Sequence, residues 1–392
     1  MNSYKYLIIG TGMTADAAVR GIRELDATGS IGLIGIETDP PYNRPPLSKG
    51  LWKGKSIDGI WRKTEKLQVT LHLGRKVVSL KAEEHIVQDE RGDSYSGDQI
   101  LLATGGSPRR LPFGGDDILY YRSVVDYKRL FEMTTRNTTF AVIGGSFVGS
   151  EIAAALAMNG KKVTLLFPEA GICARTLPLD LSLFLNDYYA KKGVEVLPGE
   201  YLRDIQPREG RLFLNTQGGR EIVCEGVVAG IGIQPNVELA RSAGLKIGNG
   251  ISVDEHLVTS HASIYAAGDV AEFYNPALKR RMRVEHEDNA NAMGRQAGRN
   301  MAGAKEPYQH LAFFYSDLFD LGYEAVGHLD SRLTIEADWQ DRFQKGVICY
   351  LDNKRLNGVL LWNVWGKVAD ARALISNPKL FNLKTRKNLI AS

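Results

Sequence analysis

Only three cysteines occur in the 392 residues, and Cys173, Cys224 and Cys349 are too far apart to form a C-x-x-C or C-x4-C pair. Without such a pair no internal dithiol is expected to carry electrons. The seven histidines lack ligand spacing such as H-x3-H, so no metal site is expected. No apolar stretch approaches the roughly 18 residues that a membrane span requires. Charge of one sign is also scarce: 49 basic against 45 acidic side chains leave +4, too little to imply nucleic acid. The basic run Lys279, Arg280, Arg281, Arg283 accordingly reads as solvated surface. Met1 leads almost at once into an apolar strand, which leaves no room for a signal or transit peptide, and a cytoplasmic location is expected.

What is plentiful is glycine, with 41 residues against 44% hydrophobic and 24% charged content. This composition describes an α/β protein rich in strand-to-helix turns, long enough for two or three domains. The stretch 5–37, KYLIIGTGMTADAAVRGIRELDATGSIGLIGIE, reads as strand, glycine turn, helix, strand and acidic stop. Gly10, Gly12 and Ala15 stand in G-x-G-x-x-A spacing. Gly10 allows the tight turn, Gly12 lets the backbone approach a pyrophosphate, and Ala15 lets the helix pack close to the strand. Glu37, 25 residues past Gly12, ends the second apolar run, where an acid accepts hydrogen bonds from an adenosine ribose. Met13 and Thr14 lie in the same turn.

Four prolines at 40, 41, 45 and 46 then predict a stiff extended loop and a short helix from about Leu47, holding Arg44 and Lys49 in fixed places. Short alternating runs between Trp61 and Leu102 (VTLHL, KVVSL, HIVQD, QILLA) predict strands and hairpins, ending in the glycine turn after Ala103. The opening unit recurs at 139–169, with a strand over 139–143, the turn GGSFVG at 144–149, an alanine-rich helix over 151–158 and a strand over 162–167. Ser146 occupies the place of the usual second glycine. Glu169 lies at the ribose position, where a carboxylate repels a 2'-phosphate, so NADH is expected over NADPH. Two such units imply two nucleotides, one a resident flavin and the other a nicotinamide that exchanges. The strand ending in Gly268-Asp269 places an acid for ribityl hydroxyls, or for capping the next turn. A helix over 285–301 directs its positive end toward the charge that develops on a reduced flavin. From Tyr308 onward aromatics accumulate and strands such as 346–351 and 359–362 precede a helix over 367–375, which reads as a β-rich third domain.

Several ordered strings carry a resemblance over nearly the whole chain: PPYNRPPLSKGLW, LLATGGSPR, VIGGSFVGSE, LLFPEAG, GIQPNVELA, AAGDVAEFY, RRMRVEHEDNA, YSDLFDLGYEAVGHLD and VLLWNVW. They resemble the FAD-dependent pyridine nucleotide oxidoreductases with two dinucleotide-binding domains, in the apoptosis-inducing factor and ferredoxin/rubredoxin reductase branch. The resemblance implies two Rossmann-like domains, the NAD domain inserted in the FAD domain, plus a C-terminal α+β domain. The expected boundaries are 1–112 with 245–306 for FAD, 113–244 for NAD and 307–392 for the C-terminal domain. It implies FAD held by Gly10, Gly12, Met13, Thr14, Glu37, Arg44, Lys49, Val77, Ala103, Arg109, Asp269 and His286. It implies NADH held by Gly145, Phe147, Val148, Glu169, Gly232, Glu285, Tyr315, Glu324 and Asn363. Phe147 resembles the ring that covers the flavin until the nicotinamide displaces it, and Lys49 with Glu151 resembles the ion pair beside the reactive flavin nitrogen. These three and His286 are the expected catalytic residues. Tyr315 stands where animal members carry a tryptophan, and 335–347 joins two strands without the long insertion those members have.

The function so implied is an FAD-dependent NADH oxidoreductase that discharges to a ferredoxin- or rubredoxin-type protein, a quinone or oxygen. Disulfide reduction is excluded on chemistry, since the loop where such enzymes place a redox cysteine holds Tyr42, Asn43, Arg44 and Pro45. The alternative is a redox sensor whose NADH-reduced state controls dimerisation or partner binding, the chain being a monomer or an NADH-promoted homodimer. A nucleic-acid binder would show steep salt dependence, and none is expected. From the two nucleotide units, the purified protein is expected to be yellow and to release flavin on denaturation; a colourless preparation unable to take up FAD would contradict this.

Overall fold

The computed structural model describes residues 1–390, leaving aside the side chains of Leu383 and Lys384. The chain forms two compact units. One comprises Met1–Arg44, Ile57–Ser107 and Gln234–Phe313, the other Pro45–Ser56, Pro108–Ile233 and Phe314–Ser392.

The first unit is built on a seven-stranded sheet. Thr70–Leu73, Ile31–Gly35, Asn2–Ile9 and Ser94–Leu102 are parallel neighbours in that order. Ile264–Ala266 runs parallel to the C-terminal half of Ser94–Leu102, while Ile86–Asp89 and Val77–Lys81 extend its N-terminal half as an antiparallel hairpin. Every residue of Ile31–Gly35 is buried, as in a parallel strand covered on both faces. Two helices, Met13–Arg23 and Glu287–Met301, pack against each other at backbone distance. A Cβ on Gly298 would lie 2.0 Å from the Ala18 carbonyl oxygen, one on Gly294 2.4 Å from that of Thr14, and one on Gly21 2.1 Å from that of Arg295. The small residues of 285–301 are therefore the condition for this helix pair.

The second unit contains a five-stranded parallel sheet in the order Val194–Pro198, Lys162–Phe167, Thr139–Ile143, Gly226–Ala229, Ile118–Tyr120. A three-stranded antiparallel sheet, Leu202–Arg208, Arg211–Thr216 and Glu221–Cys224, accompanies it. The aromatic-rich C-terminal stretch forms a five-stranded sheet in the order Phe313–Leu318, Leu321–Gly327, Arg355–Trp362, Lys345–Asp352, Thr334–Asp341, followed by the helix Val368–Ser376. The parallel strands of the seven-stranded sheet and the five-stranded parallel sheet have the Rossmann-like strand–turn–helix arrangement expected, and the C-terminal five-stranded sheet is the β-rich part anticipated from the aromatics.

Element ends differ from expectation in instructive ways. The helix anticipated from Glu151 begins at Phe147, because Ser146 already has the extended backbone of an N-cap. The helix anticipated from Glu285 begins at Glu287, with His286 at its N-cap. Near Leu47 the chain makes two 3-10 turns, Pro45–Ser48 and Gly50–Lys53, rather than one α-helix. Paired prolines suit a first turn, whose N–H groups lack partners anyway, but not a longer hydrogen-bonded run. Among the described residues no helix is long and apolar enough to cross a membrane.

The helix contact yields a prediction. Gly298→Ala is expected to destabilise the protein by roughly 1–3 kcal/mol or more, because backbone rather than a flexible side chain stands in the way. Gly59→Ala, where nothing lies within 4 Å, is the matched control. Denaturant midpoints check it; equal midpoints would refute the role given to the glycine.

Candidate functional site

In the first unit the turn after Asn2–Ile9 requires glycine at position 10 and leaves the bare Cα of Gly12 open. Gly10 has φ +132°, and a Cβ there would lie 2.2 Å from the Ala103 carbonyl oxygen, while the Ala103 N–H donates to Ile9 at 2.8 Å. Gly12 is the N-cap of Met13–Arg23 and makes no side-chain capping bond. Within 4 Å of its missing Cβ stands only the Arg44 guanidinium, at 3.9 Å. An open bare Cα, a helix N-terminus and a cation beside them fit a diphosphate. Met13 and Thr14 are buried in the first helical turn, and the Thr14 hydroxyl lies 2.2 Å from where a Cβ on Gly268 would be. The Asp269 loop is thus drawn to the same turn.

Glu37 follows the second strand as expected, and its carboxylate is engaged on both oxygens. Tyr42 Oη donates to one at 2.5 Å and Arg44 bonds the other. The Arg44 guanidinium also stands 5.0 Å from the Tyr42 ring centroid and donates to its hydroxyl at 2.9 Å. Burial acts to lower the Arg44 pKa, and the carboxylates of Glu37 and Asp269, with the Tyr42 hydroxyl, outweigh it, so the guanidinium stays firmly charged. Each carboxylate oxygen retains a lone pair for a ribose hydroxyl. Tyr42 had appeared in the sequence only as a residue occupying a cysteine's place; its hydroxyl orients Glu37.

Arg283 links two further expected residues, donating to the Asp269 carbonyl at 3.0 Å and to Glu285 at 2.5 Å. His286 is partly exposed at the surface of its unit, yet its ring is enclosed enough that burial brings its pKa down to about 4, with Asp269 and Asp288 opposing. At neutral pH it is an uncharged imidazole at a helix N-terminus, where a positive charge would be unfavourable. Val77 opens the Val77–Lys81 strand opposite Asp89.

The second unit holds the other turn. Gly144 has φ +110°, and a Cβ on Gly149 would lie 1.8 Å from the Gly144 carbonyl oxygen. A Cβ on Gly145 would enter the Phe167 ring at 2.5 Å, and the Gly145 carbonyl accepts from the Cys173 N–H at 2.8 Å. Phe147 meets the Phe314 ring edge to face at 5.3 Å, and Val148 beside it is exposed. Glu169, the residue expected to meet a ribose, pairs with the exposed Arg175 at 2.8 Å. Arg109 N–H donates to Gly232 at 2.9 Å, and Gly232 takes φ +90°.

Lys49 and Glu151, anticipated as a pair across 102 residues, meet at 2.8 Å. Glu151 is 4% exposed, and two hydroxyls that sequence spacing gave no means of finding also donate to it, Ser48 Oγ at 2.6 Å and Ser316 Oγ at 2.6 Å. A buried carboxylate is tolerated because these donors replace water. Tyr315 stands with its ring centroid 5.1 Å from Lys49 Nζ, a cation–π distance. In the C-terminal sheet Glu324 accepts from the Gly366 N–H at 3.1 Å, and Asn363, at φ +49°, exchanges bonds with Gly322. Of the residues expected to hold FAD, Lys49 and Arg109 lie in the second unit; of those expected to hold NADH, Glu285 lies in the first.

The three thiols are free and buried. Burial pushes Cys173 and Cys349 up to about 12 and Cys224 to about 11, so none is a ready thiolate.

His286 supplies a pH prediction. Its folded pKa of about 4 lies below the unfolded value near 6.5, so the unfolded chain binds the extra proton and stability falls as pH drops from about 6.5 to about 4. The loss is expected to be on the order of 2–3 kcal/mol, and His286→Asn should flatten the profile in that window. Urea midpoints across pH 4–7 test this; parallel profiles would refute it.

Residues 4–294 match the family described as Pyridine nucleotide-disulphide oxidoreductase, and residues 297–340 and 334–377 match Apoptosis-inducing factor, mitochondrion-associated, C-term. The chain is 34% identical over 420 residues to apoptosis-inducing factor 1, mitochondrial, of Dictyostelium discoideum, covering 96% of this chain and 79% of the relative. It is 32% identical to the anthranilate 1,2-dioxygenase system ferredoxin–NAD(+) reductase component of Burkholderia cepacia, covering 83% of this chain and 82% of that one. Among solved structures it is similar to a chain of the covalent putidaredoxin reductase–putidaredoxin complex, with a TM-score of 0.90, 27% identity and coverage of 100% and 98%. The family's cofactors are FAD and NAD(H), which the two glycine turns fit. The chain belongs to the FAD-dependent pyridine nucleotide oxidoreductases, and within them to the group resembling apoptosis-inducing factor and the ferredoxin and rubredoxin reductases.

Proposed function

We propose that this NADH oxidoreductase hands its electrons to a small one-electron redox protein of ferredoxin or rubredoxin type. Bound FAD supplies the chemistry, accepting hydride from NADH at N5 and releasing electrons singly. The chain's residues bind and orient. The turn at Gly10 and Gly12 with Arg44 takes the FAD diphosphate, Glu37 the adenosine ribose and Asp269 the ribityl hydroxyls. Met13, Thr14, Val77, Ala103 and Arg109 complete that site. Gly145, Val148, Gly232, Glu285, Tyr315, Glu324 and Asn363 hold NADH, Phe147 covers the flavin until the nicotinamide enters, and Glu169 favours NADH over NADPH. Lys49, largely enclosed and paired with buried Glu151, is the cation that favours electron-rich flavin states. Neutral His286 at its helix end leaves the helix dipole unopposed.

The observation that carries the choice of acceptor is the state of the cysteines. Three buried, separated thiols provide no internal dithiol, so the electrons leave to a partner, and the resemblance to ferredoxin–NAD(+) and rubredoxin–NAD(+) reductases supports a protein one. The domain division proposed with this reading is 1–112 with 245–306, 113–244 and 307–392, and the location proposed is cytoplasmic. Similarity to apoptosis-inducing factor through the C-terminal sheet supports a second reading, an NADH-controlled sensor that dimerises on reduction.

Stopped-flow reduction by NADH and by NADPH, followed by a panel of acceptors, tests the assignment. Faster reduction by NADH and rapid discharge to a ferredoxin or rubredoxin are expected. Slow discharge to every acceptor, together with NADH-induced dimerisation, would replace the reductase by the sensor. Lys49→Ala should slow flavin reduction about tenfold; an unchanged rate would remove the pair from the mechanism.

A further inference from the structure

We propose that Ser316 is a positioning residue for flavin reduction, fixing the Glu151 carboxylate in the orientation from which it holds Lys49. The inference rests on the reading of Lys49 and Glu151 as the pair that acts on the flavin.

The two oxygens of Glu151 are held unequally. Oε2 receives both Lys49 Nζ at 2.8 Å and Ser48 Oγ at 2.6 Å, whereas Oε1 receives Ser316 Oγ alone, at 2.6 Å. Ser48 adjoins Lys49 in the chain, as the last residue of the turn Pro45–Ser48. Ser316 is independent of both: it lies 165 residues beyond Glu151 on Phe313–Leu318, in the C-terminal sheet, and is 1% exposed. The last torsion of a glutamate side chain is broad and sets no orientation of its own. A donor on Oε1 is therefore what stops the carboxyl from turning and carrying Oε2 away from the ammonium. With that donor gone, Oε1 would be a buried charged oxygen with no hydrogen bond, a strong drive to rearrange. The neighbouring Tyr315 places its ring 5.1 Å from Lys49 Nζ, so consecutive residues of one strand touch both members of the pair. The C-terminal sheet thereby sets the geometry of a pair drawn from the proline loop and the second nucleotide turn.

A double-mutant cycle on the FAD-loaded enzyme tests this, with Ser316→Ala, Ser316→Cys, Glu151→Gln and the Ser316→Ala/Glu151→Gln double variant. Cysteine keeps the shape of serine but donates weakly, so it serves if alanine impairs folding. The readouts are the rate of flavin reduction, KM for NADH and the midpoint potential of the bound FAD. Ser316→Ala and Ser316→Cys are expected to slow reduction about fivefold with KM unchanged, and to move the midpoint potential in the same direction as Glu151→Gln. The double variant should be no slower than Glu151→Gln, because Ser316 acts only through that carboxylate. Additive slowing, or a midpoint potential that does not respond to Ser316, would overturn the inference while leaving the pair's role intact. If Glu151→Gln itself alters neither rate nor potential, the reading of the pair falls and this inference with it.

Discussion

At Gly10 a methyl group would lie 2.2 Å from the Ala103 carbonyl oxygen, and at Gly149 another would lie 1.8 Å from that of Gly144. Such distances admit no side chain, and each nucleotide turn depends on them. Where the first strand ends, the backbone must fold over a neighbouring strand end and start a helix within three residues. Only a residue without Cβ allows both the approach and the positive φ. The same demand recurs between the helices Met13–Arg23 and Glu287–Met301, where Gly21, Gly294 and Gly298 face backbone carbonyls. At these five positions glycine records a backbone contact rather than looseness.

On that scaffold the polar groups are arranged by desolvation. Glu151 is buried, and it persists because an ammonium and two hydroxyls take the place of water. Glu37 is bound on both oxygens by Tyr42 and Arg44, which leaves it oriented but still able to accept from a sugar. His286 illustrates another solution: burial outweighs the opposing charges of Asp269 and Asp288, and the ring is held neutral. The thiols follow the same rule, their burial taking them out of redox use and turning the flow of electrons outward.

Much of this was readable from the residues. The two glycine turns, the acids that follow them and the strands between Trp61 and Leu102 stood in local patterns, because close approach and alternation are properties of neighbouring positions. Helix starts were misjudged by two to four residues at Phe147 and Glu287, where the N-cap residues Ser146 and His286 make no side-chain capping bond. The short helix near Leu47 became two 3-10 turns, an outcome set by paired prolines and by their surroundings together.

By itself the sequence determined the number of nucleotide units, the absence of a cysteine pair and the candidate carboxylates, since each depends on residue type at short spacing. Tertiary structure alone decided which groups surround those carboxylates. Ser48 and Ser316 converge on Glu151 from positions 103 and 165 residues away. A hydroxyl shows no preference in the sequence for a distant partner; only the burial of that partner makes its hydrogen bond necessary.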